Sequence, residues 1–455
     1  MDFILIHPAD TVKVCLENGH KYAARPIARG ETIVKYGFPI GVATEDIPEN
    51  AHVHTHNMKT ALSGEQTYAY RPQIEPLPFF GDGNLCFPAY HRKNGQIGIR
   101  NDIWILPTVA CVNGVAEALA RRSGAFAFPH PYGCSQLGDD QARTQKILCG
   151  LIRHPNAGGV LVLGLGCENN QIQSLQQMLG DWDEERVRFL QCQDEADELA
   201  AGEKILAELK ALAAQDSREP APLSRLTIGL KCGGSDGFSG LTANPLCGKI
   251  TDRLVAAGGT TVLTEVPEMF GAEPILLGRC QSRDIFTATD ALIRRWKEYY
   301  LSRHLPISEN PSPGNRAGGI TTLEEKSLGC VQKGGKAPVS GVLDWGDTAT
   351  GTGLQLLTGP GNDPVAVTNL TAAGCHLILF TTGRGTPLGA PVPTIKIASN
   401  TALAQSKPRW IDFDAQKGDA EALWALLLRT AAGEQTKNEA NGYREIAIFK
   451  EGVTL

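Results

Sequence analysis

Short runs of alternating apolar and polar positions crowd the first part of the chain: TVKVC at 11–15, TIVKY at 32–36 and AHVHTH at 51–56, punctuated by Gly30, Gly37, Gly41 and Pro48. Alternation with period two predicts half-buried strands, so residues 1–70 read as a small, mostly β module. From Arg71 to Pro88 the text becomes RPQIEPLPFFGDGNLCFP, without any period. This predicts a linker over residues 71–90. Beyond it the rhythm is strand, loop, helix. GGVLVLG (158–164), VRFLQC (187–192), LTIGLKC (226–232) and TTVLTEV (260–266) predict buried strands, joined by others at 354–358, 376–382 and 394–398. Ala196 to Ala214 carries Ile205, Leu206, Leu209 and Leu212 on one stripe, and Ser282 is placed to cap a helix whose Ile285, Ala288, Leu292, Trp296 and Tyr299 share a face. A further helix is expected over 419–432. Strands alternating with helices imply right-handed crossovers and a largely parallel sheet. The predicted class is therefore α/β, with a middle α/β region at 91–225 and a Rossmann-like, largely parallel body at 226–455. Residues 303–340 form a long polar stretch, longer than a mere connection needs, which points to a part in shaping a site.

Composition narrows the function classes. A chain of 455 residues with a formal charge of −6 and no basic stripe is not built for nucleic acid or anionic membrane. The start MDFILIHPAD lacks the apolar core of a signal peptide, and no apolar run reaches the roughly 18 residues of a membrane span. Twelve cysteines are spread without paired spacing, which in such a chain reads as reduced thiols and a cytoplasmic location.

Chemistry-bearing residues gather where strands end. KCGGSDGFSG (231–240), GLGCENN (164–170) and YGCSQ (132–136) each set a cysteine among glycines after an aliphatic run. Ligands of open α/β sheets bind beyond the carboxyl ends of the strands, so the three loops are expected to line one crevice. Cys134, Cys167 and Cys232 are candidate thiolate ligands for an iron ion or cluster. The alternative is that each is a small apolar filler. Glu265 is a further candidate ligand; Asp236 and Glu268 are candidate catalytic carboxylates. His54 and His56, with His52, alternate along a presumed strand and suit proton transfer near neutral pH. Arg100, Asn101 and Arg384, the last within TTGRGTP, are candidates for gripping a carboxylate or polyol. Several signals fail. Gly383 to Gly389 is not a dinucleotide fingerprint, Gly248-Lys249 is not a phosphate loop, and no Gly-x-Ser-x-Gly elbow occurs.

Together these stretches resemble the altronate/galactarate dehydratase family. The likeness is carried by KYGFPIG (35–41), HVHTHN (52–57), GIRNDIWILPT (98–108), YGCSQLGDD (132–140), GLGCENN (164–170), CGGSDG (232–237), TEVPEMFGAE (264–273), NPSPGN (310–315) and TGRGTP (382–387). Within that family the terminal AIFKEGVTL (447–455) looks most like the altronate-acting members. The resemblance implies an amino-terminal SAF-type β-clip, a middle region able to form a homodimer, a Rossmann-like carboxyl-terminal domain, Fe2+ dependence and an aldonate substrate. The implied reaction is loss of water from D-altronate to give 2-dehydro-3-deoxy-D-gluconate. Rivals are galactarate dehydration, loss of sulfite from sulfolactate, and a sugar-acid sensor without catalysis.

Overall fold

A computed structural model describes residues 2–62, 66–452 and 454. Met1 of the first module, and Val453 and Leu455 of the terminal segment invoked above, lie outside the described residues. The first module holds two small antiparallel sheets. One joins Phe3–Ile4, Val12–Cys15, Lys21–Ala23 and His52–Val53; the other joins Thr32–Lys35, Phe38–Ala43 and Met58–Lys59. Lys35 pairs with Phe38 across the two-residue turn Tyr36-Gly37, whose φ values of 60° and 77° are those of a hairpin turn matched to strand twist. The strand expected over 51–56 is shorter. Only His52–Val53 pairs, because the Asn57 side chain accepts from the His54 N–H (2.9 Å) and donates to the His52 carbonyl (2.9 Å), bending 54–57 into a turn.

The segment after the first module runs without regular structure to a short turn of helix at Asp82–Asn84. Cys86–His91 is then the central strand of a three-stranded antiparallel sheet with Arg218–Pro222 and Ile97–Gly98. The middle region is a parallel sheet ordered Phe126–Ala127, Asp102–Pro107, Ala157–Gly164, Val187–Gln191. Every residue of Ala157–Gly164 is buried, as its unbroken apolar text predicts.

The carboxyl-terminal body is a seven-stranded parallel sheet. Its order is Val339–Leu343, Gly353–Leu357, Thr260–Leu263, Thr227–Cys232, Leu377–Thr382, Thr394–Ala398, Phe413–Asp414. The chain starts at Thr227–Cys232, builds outward on one side and then crosses back to Leu377–Thr382 on the other. Cys232 therefore ends its strand at the topological switch point, where such sheets open a crevice. Ser282 caps Arg283–Leu301 by accepting from the Ile285 N–H, as expected. No helix among the described residues is long and apolar enough to cross a membrane.

The polar stretch 303–340 is exposed and irregular at its start but largely buried from about residue 319 onward. It contains the helix Leu323–Cys330, buried over its whole length. Polar residues can be buried there because the two carboxylates of its first turn, Glu324 and Glu325, find partners on the first module. Lys21 and Lys35 occupy inward positions of their strands. The Lys21 ammonium donates to Glu325 (2.8 Å), the Gly319 carbonyl (2.7 Å) and the Thr321 hydroxyl (2.7 Å), and Lys35 donates to the other Glu325 oxygen at 2.8 Å. Glu324 accepts from the Thr60 hydroxyl and from the N–H groups of Ala61 and Leu62. Burial alone would raise the Glu325 pKa, but the two ammoniums outweigh it and hold the carboxyl at about 2. Its stabilising contribution is thus complete above the ordinary carboxylate value of 4.5 and is lost as pH falls from there toward 2. Glu325→Gln leaves two buried ammoniums uncompensated and is expected to cost about 3–5 kcal/mol at pH 7. In denaturant titrations of the full chain, the gap between wild type and variant should narrow steadily below pH 4.5; a constant gap would contradict this assignment.

Candidate functional site

The site grows from the strand Thr227–Cys232, whose Lys231 is buried amid aliphatic neighbours. A buried ammonium requires anions, and Lys231 has two: it pairs with Glu265, and with Asp363 at 2.7 Å. Glu265 sits in left-handed backbone (φ 68°), an uncommon conformation for a side chain without special tolerance for it. It is held there by Lys231 and by the Cys232 N–H, which donates to its second oxygen at 3.0 Å. The short turn Val266–Met269 then brings Glu268 back over Cys232.

Three potential ligand groups meet here. The Cys232 thiol lies 3.2 Å from a Glu268 oxygen and 3.3 Å from the thiol of Cys330, which is itself 3.1 Å from the same oxygen. Among the described residues this is the one group of three His, Cys, Asp or Glu side chains with ligand atoms within 4.8 Å of one another. Two further ammoniums frame it. Lys326 pairs with Glu268 at 2.8 Å and donates to Asn310 and Asn315. Lys333 is wholly buried, 3.9 Å from Glu265, and its ammonium has no hydrogen-bond partner among the described residues. The thiol pair shares a proton: the hydrogen bond from Cys330, aided by Lys333 and Lys231, pulls Cys232 down to about 6 against its burial, while Cys330 is pushed well up. Burial opposes charge on Glu268, but Lys326, Lys231 and Lys333 hold it at about 2.

This donor set fits a divalent transition metal. Thiolates and a carboxylate suit iron, and a ligand thiol must lose its proton to bind. With one proton shared between the thiols, the ammoniums of Lys231, Lys326 and Lys333 face the carboxylates of Glu265, Glu268 and Asp363 and one thiolate. A dication displacing that proton would bring the group to neutrality. The unpartnered Lys333 ammonium is then explained, because it faces thiolates rather than thiols.

Beside this cluster lies a small cavity of about 10 Å³, walled by Ser235, Asp236, Glu325, Lys326 and Cys330 among others. Beyond Asp236 an open pocket of about 310 Å³ separates the first module from the sheet, lined by Asn18, Asp236, Gly318, Arg384, Asn400 and Gln416. No described side chain pairs with the Arg384 guanidinium, which leaves it available to an anion.

The structure brings Cys232, Glu265 and Glu268 together and sets Arg384 beside them, but it corrects other expectations. Cys134 and Cys167 lie at the carboxyl edge of the middle sheet, a different sheet from that of Cys232. They are exposed, with Cys134 donating to Asn169 (3.3 Å) and Cys167 accepting from Gln193 (3.5 Å). Glu265 is an ion-pair partner of Lys231 rather than a member of the thiol cluster. Asp236 is engaged through both oxygens: one accepts from the Ser239 N–H, the Ser239 hydroxyl and the Ser399 hydroxyl, and the other accepts from Asn400. It staples two loops. Arg100 is consumed by a two-pronged pair with Glu439 and by the carbonyls of Ile99, Thr430 and Glu434, and Asn101 bridges Arg92 to the Ala213 carbonyl. Arg100 fastens the middle region to the carboxyl-terminal body, whereas Asn101 ties two parts of the middle region to each other. His54 Nε2 donates to the Arg316 carbonyl at 2.9 Å and Nδ1 faces the Thr55 hydroxyl at 3.1 Å; His56 is exposed and stacks on His52. Sequence reasoning missed Cys330, Lys231, Lys326 and Lys333. The one local signal was a lysine interrupting the aliphatic run 226–232.

Three family descriptions tile the chain: "Altronate/galactarate dehydratase SAF domain" at residues 11–61, "D-galactarate dehydratase/Altronate hydrolase, second domain" at 89–215 and "D-galactarate/Altronate dehydratase, C-terminal" at 223–454. The chain belongs to the altronate/galactarate dehydratase family. It is 50% identical over 464 aligned positions to the altronate dehydratase of Bacillus subtilis (strain 168), covering 98% of this chain and 93% of that one. Against the altronate dehydratase of Escherichia coli (strain K12) it is 48% identical, with 100% of both chains covered. A more distant member, the galactarate dehydratase (L-threo-forming) of the same strain, is 32% identical over 88% of this chain and 80% of its own. The SAF module and the large parallel sheet expected from the sequence are both present.

Arg100→Lys keeps the charge but loses the fork on Glu439. It should lower unfolding stability by about 3 kcal/mol while leaving KM unchanged. A raised KM at unaltered stability would restore Arg100 to the substrate pocket.

Proposed function

We propose that the protein removes water from D-altronate to give 2-dehydro-3-deoxy-D-gluconate, working in the cytoplasm, where a reducing environment keeps its twelve cysteines free. The observation that carries the reaction class is the ring of buried ammoniums, Lys231, Lys326 and Lys333, around Cys232, Glu268 and Cys330 at the switch point of the sheet. The end-to-end likeness to altronate dehydratases supports the substrate. In the reaction the C2–H bond breaks and its electrons form the C2–C3 double bond. The C3–O bond breaks, and the oxygen leaves as water after taking up a proton. The enol so formed tautomerises to the 2-keto acid.

A proton α to a carboxylate is weakly acidic, so negative charge building on that carboxylate must be met by fixed positive charge. Buried Lys333 adds to that positive field from behind the thiol cluster, while Arg384 meets the substrate in the outer pocket. Arg384 holds the incoming sugar acid in the outer pocket, taking the carboxylate or neighbouring hydroxyls. His54 stands next to this pocket, since its partner Arg316 precedes Ala317 and Gly318 in the pocket wall. The Arg316 carbonyl fixes the proton on Nε2, leaving the lone pair on Nδ1, where the Thr55 hydroxyl can give way to substrate. His54 is thus the base in this reading. The docked first module excludes water from the inner cluster. Cys232, Glu268 and Cys330 would hold Fe2+, which when bound supplies Lewis-acid polarisation of the substrate.

The test is a substrate panel under anaerobic conditions: D-altronate, galactarate and 3-sulfolactate, with products identified by mass. Turnover of D-altronate alone is expected; turnover of none of the three overturns the proposal. Lys333→Met should lower kcat by about 10²-fold with near-UV circular dichroism unchanged. Arg384→Ala should raise KM by about tenfold or more through the lost charged contact. Protein purified without oxygen should contain iron, and Cys330→Ser should lose it.

A further inference from the structure

A group of four histidines sits on the first module, outside the thiol cluster. His52 is its centre. His20, His54 and His56 surround it with ring centroids 5.1, 5.4 and 5.7 Å away, and the rings of His54 and His56 are stacked on it. Clustered imidazoles usually lean on carboxylates, yet none of these four rings hydrogen-bonds an Asp or Glu among the described residues. Their partners are each other, a hydroxyl and backbone carbonyls.

The orientation of His20 sharpens the case. Its Nδ1 faces His52 Nε2 at 3.0 Å, while the ring donates its other N–H to the backbone of Ala317. A backbone carbonyl on one nitrogen fixes the tautomer and turns the lone pair of the other toward a ligand, the second-shell arrangement common to metal-bound histidines. The separation also fits. Two ligands at about 2.1 Å from one octahedral ion, at right angles, stand about 3.0 Å apart. Both rings are half-buried at the junction with Ala317, a wall residue of the outer pocket.

We propose that His20 and His52 are two cis ligands of a divalent first-row cation in octahedral coordination, separate from the Cys232–Glu268–Cys330 cluster. The remaining positions go to water or to oxygen atoms of a ligand entering the outer pocket. Such a cation would stand where the first module meets the loop 316–318, opposite the pocket from Arg384. The proposal stands on the imidazole geometry and does not require the dehydratase reading.

Cobalt distinguishes the two sites in the full-length protein. Thiolate-bound Co2+ absorbs intensely in the near ultraviolet by charge transfer, whereas octahedral Co2+ on imidazole and oxygen gives only weak visible bands. Anaerobic titration of metal-free wild type with Co2+ should fill both classes, and equilibrium dialysis should count one equivalent per chain for each. His20→Gln and His52→Gln should each weaken the second class by at least tenfold. They should leave the charge-transfer band and the melting temperature of the metal-free protein unchanged. Cys330→Ser should keep the weak bands and lose the intense one. Absence of a second class in wild type, or unchanged stoichiometry and affinity in both histidine variants, would overturn the proposal and leave the 3.0 Å contact an ordinary imidazole hydrogen bond.

Discussion

A single buried carboxylate, Glu325, held between Lys21 and Lys35, joins the two ends of this molecule. Desolvating three charged groups is unfavourable, and their attraction repays it only with good geometry and further hydrogen bonds. Here the Gly319 carbonyl and the Thr321 hydroxyl absorb the remaining ammonium protons of Lys21. The same helix that receives the lysines in its first turn carries Lys326 one residue later and Cys330 at its end. Docking of the first module and assembly of the thiol cluster are thus two faces of one element.

The glycines of KCGGSDGFSG find their reason in that docking. A Cβ on Gly237 would meet the Gly19 carbonyl oxygen at 2.0 Å, and one on Gly240 would meet the Tyr36 hydroxyl at 2.4 Å. These positions are bare so that the first module's backbone and its hairpin turn can lie directly on the loop. Permissive backbone angles are secondary at these two glycines, neither of which has positive φ. The loop is a seat for another part of the chain as much as a wall for a ligand.

Local pattern made much of the fold legible: the β module, the helix capped by Ser282, the buried strands and their parallel arrangement each follow from periodicity and capping within a few residues. The strand-end position of Cys232 follows too, since an aliphatic run ending in glycine marks a strand end, although the strand order that makes it a switch point does not. What escaped is whatever distant partners decide. Leu323–Cys330 reads as a polar loop because its burial depends on lysines near the other end of the chain. Arg100 among polar neighbours reads the same whether it grips a ligand or Glu439. Cys134 and Cys167 share the local grammar of Cys232, yet sequence does not say that two of these loops belong to one sheet and the third to another.

The pairing of Glu325 with Lys21 and Lys35 spans 304 and 290 positions of the chain. At a synthesis rate of about 5–20 residues per second, the first module leaves the ribosome roughly 15–60 s before its anionic partner is made. Through that interval both ammoniums remain in water, and contacts of such long range are slow to form. The part of the protein made first therefore waits for its seat, and the crevice is roofed only when nearly three-quarters of the polypeptide already exists.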